Sequence, residues 1–172
     1  MGNTLVSSWN DFDPLKHAIV GRADFTCIPP TEPATEAKIP EDSDMRGMWG
    51  PRPQHSVEKA NAQLDALAGL LESRGVRVDR PEPIQWNQAV NTPDFATGSS
   101  FGCMPPRDVL LTIGREILSA PMSFRCRFWE YLAYHSLMQR YFDEDPGFRW
   151  EQAPRPRLAD QSYQAGYFDE IT

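Results

Sequence analysis

Proline decides where this chain can be regular. It occurs 16 times in 172 residues, and each proline removes a backbone donor and biases the residue before it away from helix. Pro29, Pro30, Pro33, Pro40, Pro51 and Pro53 crowd the stretch from Cys27 to Pro53. That stretch is predicted to be a long loop-like excursion, either a functional lid or interface loop or an inert surface insertion. Helix is left to the proline-free stretches. Val57, Ala60, Leu64, Leu67 and Leu71 recur at spacings of three and four, which predicts one apolar helical stripe. Ser56 is its expected N-cap, Glu58 lies in its first turn, and Arg74-Gly75 is its expected stop. Phe124, Phe128, Tyr131, His135, Met138 and Phe142 repeat the pattern, with Ser123 as candidate cap and a break at Asp145-Pro146-Gly147.

Strands fit between these. His17–Gly21 reads as a short buried strand entered through Asp13-Pro14. Val76-Arg77-Val78 follows the first helix closely enough to suggest an αβ unit. Val109–Ile113, Gly114 and then Arg115–Leu118 read as a hairpin. The tail, with Pro154, Pro156, Tyr163 and Tyr167, shows no period. The length suits one domain or a large piece of one.

Charge narrows the function. A formal net charge of −7 argues against a nucleic-acid binder, which needs a basic face. No apolar run reaches bilayer length, so no membrane span is expected. Met1–Asn10 is followed at once by Asp11 and Asp13, without the apolar core of a leader, and Val6 stands where a myristoylation signal wants Ser or Thr. A reducing, cytoplasmic setting is the expectation. The 3 cysteines cannot pair fully and no Cys/His spacing suits zinc, so neither a disulfide framework nor a metal is expected.

Few side chains suggest chemistry. Cys27, Cys103 and Cys126 are candidate nucleophiles only with a base and an electropositive setting, and each reads more readily as a small buried hydrophobe. Cys126, between Arg125 and Arg127, is expected to have a lowered pKa. His17 falls in a strand entry, His55 in a loop, and His135 on the apolar stripe as a core histidine. Asp94, just after a proline and ahead of a Gly/Ser loop, could be aimed at a cationic ligand. The residues alone favour an Asx turn there.

Longer stretches resemble a known family. Ser8–Arg22, Pro81-Glu-Pro-Ile84, Thr92-Pro-Asp-Phe95, Pro106-Arg-Asp108 and Ala120–Tyr131 are similar, in order, to the arginine:glycine amidinotransferase family. So is Ala153-Pro-Arg-Pro156 with Asp160 and Tyr163. The resemblance implies an α/β fold, part of a pentein-type propeller of ββαβ modules around a pseudo-fivefold axis. It implies transfer of the amidino group of L-arginine to an amine acceptor through a cysteine-bound intermediate, with ornithine released and without cofactor or metal. It makes Asp94 an arginine-binding carboxylate. The glycine-rich His-Cys segment of the family, and its catalytic His and second Asp, do not occur in this sequence, so no catalytic residue is assigned.

Residues 1–172 therefore resemble the N-terminal part of a single amidinotransferase domain: a gene fragment, a truncated version, or one piece of a cleaved enzyme. Such a chain is expected to be inactive alone and to need a complementary C-terminal polypeptide or to form a homo-oligomer. The alternatives are a guanidino-group hydrolase of the same superfamily and a non-catalytic interaction domain. The amine acceptor is left open.

Overall fold

The computed structural model describes residues 4–32, 34, 42 and 47–163. Pro33 and Pro40 of the proline-rich excursion, and Tyr167 of the tail, lie outside the described residues. The architecture is mixed α/β. Strand β1 (His17–Ile19) pairs in parallel with β4 (Arg77–Asp79), His17 opposite Arg77. Parallel neighbours need a crossover, and helix α1 (Gln54–Ser73) supplies it. The expected αβ unit is present.

α1 begins earlier than its sequence suggests. Pro53 is the N-cap, with no side-chain capping bond, and Ser56 lies inside the first turn instead of capping it. A proline at the boundary fixes the entry angle by itself. The other end matches expectation. The Gly75 amide donates to the Glu72 carbonyl at 2.9 Å and the Val76 amide to Leu71 at 3.1 Å, with Gly75 at φ +79. That is a Schellman closure, which needs a residue tolerant of the left-handed region. The buried stripe rotates slightly from the predicted one. Val57 and Ala68 are buried, whereas Leu67 is 45% exposed.

Within the proline-rich stretch, β2 (Cys27–Ile28) and β3 (Gly50–Pro51) pair antiparallel and close the base of the excursion. β5 (Val90–Asn91) and β6 (Ala96–Thr97) form a small hairpin. A helical turn, α2 (Pro106–Val109), leads into β7 (Leu110–Ile113), which turns back into β8 (Glu116–Ser119) as predicted. Gly114 makes that turn at φ +58. Trp9 packs against it so closely that a Cβ there would lie 2.9 Å from the indole.

The predicted long second helix is not continuous. Two 3₁₀ turns, Arg125–Arg127 and Glu130–Tyr134, precede α3 (His135–Glu144). Phe124, not the expected cap Ser123, is the extended residue at ψ 135 from which the first of these turns starts. The tighter turns set residues three apart above one another, which lets Arg127 grip Glu130 at 2.8 Å. Leu137, Met138 and Tyr141 form the buried face of α3, while His135 and Phe142 are exposed. β9 (Arg149–Gln152), which the sequence did not suggest, adds in parallel to β8. β7, β8, α3 and β9 thus run in ββαβ order. One core cluster joins Leu110 and Ile117 of this unit to α3 and to Cys27, Trp86 and Cys103.

Candidate functional site

Asp94 lies in the loop of residues 92–95 between β5 and β6. Thr92 builds that loop. Its amide donates to the Phe95 carbonyl at 2.9 Å. Its hydroxyl accepts from the amides of Asp94 (3.2 Å) and Phe95 (3.0 Å) and donates to the Phe95 carbonyl at 3.0 Å. Pro93 fixes one more torsion. Phe95 is buried and meets Phe128 edge-on at 5.4 Å, which anchors the loop on the body. The Asx turn favoured by the residues alone is therefore not formed. The threonine hydroxyl does that work, and the Asp94 carboxylate is left to project.

It projects onto a guanidinium. Arg157 donates from Nε to Asp94 Oδ1 at 2.7 Å, and its Nη2 donates to the same oxygen. The carboxylate raises the pKa of Arg157 by direct hydrogen bonding. Nothing periodic marks Arg157 in the sequence. The usable signal was the Pro-Arg-Pro-Arg run at 154–157, where each arginine is flanked by rigid backbone. Trp49 was also missed: its indole lies against Gly98, just past β6, and stays 54% exposed.

Two further arginines fasten the segment that carries Arg157. Arg125, almost buried, donates from Nε to the Leu158 carbonyl at 2.8 Å and from Nη2 to Asp160 Oδ1 at 2.6 Å. Its guanidinium lies 5.6 Å from the Phe95 ring centroid and 5.3 Å from that of Tyr163. Arg155 donates to the Phe128 carbonyl and sits 3.8 Å over the Tyr131 ring. Between them Leu158 is buried with φ +55, a left-handed residue held by these contacts.

Beneath this surface Glu130 is fully enclosed. Arg127 grips both its oxygens and also reaches Asp108 at 3.1 Å. Burial pushes the Glu130 carboxyl up to about 7, against the pull of Arg127. Four of the six stretches that carried the family resemblance thus meet in space: residues 120–131 touch Thr92–Phe95 through Phe128, Pro106–Asp108 through Arg127, and the tail through Arg125 and Arg155.

The candidate nucleophiles are elsewhere and shielded. Cys27, Cys103 and Cys126 are all buried. Burial raises each thiol, Cys103 to about 12. For Cys126 this reverses the expected direction. Its flanking arginines turn away to the tail and to Glu130, and the thiol faces Glu32 at 3.6 Å instead. His17 forms a compact cluster at the β1–β4 edge, with Nε2 2.7 Å from Asp79 Oδ2 and 3.1 Å from the Tyr141 hydroxyl. Tyr141 donates to the same Asp79 oxygen at 2.8 Å. Burial raises the Asp79 carboxyl, but Tyr141, His17, Arg77 and Arg140 together hold it below the usual carboxylate range. His17 and Tyr141 also line a cavity of about 810 Å³ that Asp94 does not reach. His55 is exposed beside Ser56, and His135 meets Trp150 edge-on instead of entering the core. No cysteine is therefore brought to a histidine at hydrogen-bond distance among the described residues. No group of three or more His, Cys, Asp or Glu side chains that could hold a metal occurs among them either.

No protein-family model matches the chain. Curated proteins and solved structures do. It is 40% identical over 165 residues to the mitochondrial glycine amidinotransferase of Danio rerio, covering 94% of this chain and 38% of that protein. It is 36% identical over 168 residues to the L-arginine:L-lysine amidinotransferase of Pseudomonas savastanoi pv. phaseolicola, covering 96% and 46%. The solved inosamine-phosphate amidinotransferase of Streptomyces griseus superimposes with a TM-score of 0.83 at 38% identity, covering 94% of this chain and 46% of that one. An amidinotransferase of saxitoxin biosynthesis from Microseira wollei superimposes at 0.82 with 34% identity, covering 94% and 45%. The chain spans less than half the length of each of these relatives.

Proposed function

This chain resembles the amidinotransferase family along 94% of its length, and on that premise we propose that it forms the N-terminal part of an amidinotransferase domain. In that reading it supplies Asp94 and the surrounding loop surface to a site that moves the amidino group of L-arginine to an amine. Its strands and helices are the first modules of a pentein-type propeller, for which the ββαβ order of β7, β8, α3 and β9 is support. The nucleophilic cysteine and the proton-shuttling histidine come from a complementary polypeptide, or from more of the same one, so the chain alone transfers nothing. Each relative named above is an amidinotransferase, which supports transfer to an amine over release to water. The expected cytoplasmic setting draws no support from them, since one is named mitochondrial.

The observation that carries the reading is that the Asp94 carboxylate, freed of turn duty by Thr92, already seats a guanidinium. A guanidinium stays charged at any working pH and offers a planar fork of donors. A carboxylate on a rigid loop meets it with little ordering cost. Losing one member of such a charge pair costs about 2–5 kcal/mol when the pair is enclosed. In the enzyme reconstituted with its C-terminal part, Asp94→Asn is expected to lower kcat/KM for arginine by at least tens of fold. The melting temperature should hardly move, because the loop hydrogen bonds belong to Thr92. Full activity in Asp94→Asn would show that the carboxylate does not hold substrate.

A further inference from the structure

We propose that Arg157 is an internal occupant of the guanidinium seat at Asp94, and that L-arginine enters by displacing it. The inference rests on the reading of Asp94 above and adds a competitor to it. Three features separate Arg157 from a structural tie.

The first is where the exposure lies. The Arg157 side chain is 77% exposed and that of Asp94 21%, so the guanidinium is the solvent-side member and can leave without opening the core. Among the described residues its only hydrogen-bond and ion-pair partner is Asp94. The second is how its neighbours are held. Arg125 is only 10% exposed and is tied to Asp160, the Leu158 carbonyl and two rings. Arg155 is tied to the Phe128 carbonyl and to Tyr131. These contacts and the buried left-handed Leu158 fix the backbone on both sides of Arg157. The side chain can swing while its anchor stays. The third is the geometry of the pair. Both Arg157 donors go to Oδ1, so Oδ2 is not used by this arginine. An incoming guanidinium can lie fork-on across both oxygens, the stronger arrangement.

The exchange replaces one guanidinium by another, so Asp94 is paired before and after it. An ammonium, a point charge without the planar fork, has to evict Arg157 with poorer hydrogen bonding and is disfavoured. Arg157 therefore lowers the affinity of the seat for every cation by the same factor, and the preference for guanidino compounds comes from fork-on pairing with Asp94 itself. An exposed ion pair is worth little, so that loss is bounded at about two- to fivefold.

The test is binding of L-arginine to the chain reconstituted with its C-terminal part, by calorimetry and by following the Arg157 Nε–H signal in nitrogen-15 spectra. Expected is release of that signal as L-arginine is added, a two- to fivefold tighter Kd in both Arg157→Ala and Arg157→Gln, and loss of binding in Asp94→Asn. L-Lysine should not release the signal. Unchanged or weaker binding in both Arg157 variants, with loss in Asp94→Asn, overturns the competitor and leaves the Asp94 reading standing. Binding that survives Asp94→Asn, or no binding in any variant, overturns both. A fall in melting temperature in both Arg157 variants would make Arg157 a structural tie and overturn the competitor as well.

Discussion

Glu130 and Cys126 show how far chain neighbours mislead at the scale of single residues. The sequence places Cys126 between two arginines, which suggested an activated thiol. What it meets is Glu32, and both guanidiniums serve other partners. Nothing local could have revealed that, because the deciding carboxylate comes from within the proline-rich excursion, 94 positions away in the chain. Asp94 was legible as a presented carboxylate because Pro93 stands next to it. Its release from the turn was not legible, since either Thr92 or Asp94 can close a turn with the backbone two residues on, and only the structure shows that Thr92 does so. Glu130 carries a testable consequence of burial. Its folded pKa, about 7, lies above the ordinary value of about 4.3. Between those values the folded state binds more protons than the unfolded one, so this group's stabilisation is present below pH about 4 and is lost as pH rises toward 7. Thermal melts at pH 5 and pH 7.5 should show wild type losing stability across that interval. Glu130→Gln, which cannot ionise but can still accept from Arg127, should show a smaller loss. An equal slope in both would place the titration elsewhere.

Elements were legible where one local rule settled them. The Schellman end of α1 and the Gly114 turn each follow from a glycine that must adopt positive φ. Gly75→Ala is therefore expected to destabilise by about 1 kcal/mol, and Ser56→Ala, at a position that caps nothing, by much less. Denaturant midpoints measure both, and a Ser56→Ala loss as large as that of Gly75→Ala would restore the serine as a cap. The second helix was misread because aromatic residues at spacings of three and four fit 3₁₀ turns followed by a helix as well as one continuous helix. What breaks it is tertiary: Arg125 is drawn to the tail and Arg127 down onto Glu130. β9 was invisible for a different reason. Arg149, Glu151 and Gln152 are exposed, so the strand has no apolar alternation to read, and β8 supplies its order.

For the molecule as a whole, four of the family-like stretches are separate in sequence but share one knot of guanidinium and aromatic contacts. Several large apolar side chains remain exposed. Trp9, Phe12 and Leu15 of the N-terminal segment and Leu111 and Ile113 of β7 are each more than half exposed, although a protein of this size gains by covering such groups. In the proposed reading the rest of the domain covers them. The isolated chain is expected to self-associate or to bind a hydrophobic dye, by light scattering and fluorescence, and Ile113→Lys should reduce both. A monodisperse monomer silent to the dye would mean these side chains need no cover. The seating of Arg125, Arg155 and Arg157 has a consequence for handling this protein. Each of these side chains ends in the same ion that guanidinium chloride releases into solution, and each is held through carboxylate, carbonyl or aromatic contacts that this ion can also make. Urea only weakens the fold, whereas guanidinium also competes for the fastenings of the C-terminal segment. That segment is therefore expected to come loose ahead of the body in guanidinium chloride but not in urea, which Tyr163 fluorescence followed beside far-ultraviolet circular dichroism would show as separate transitions in the one denaturant and a single transition in the other.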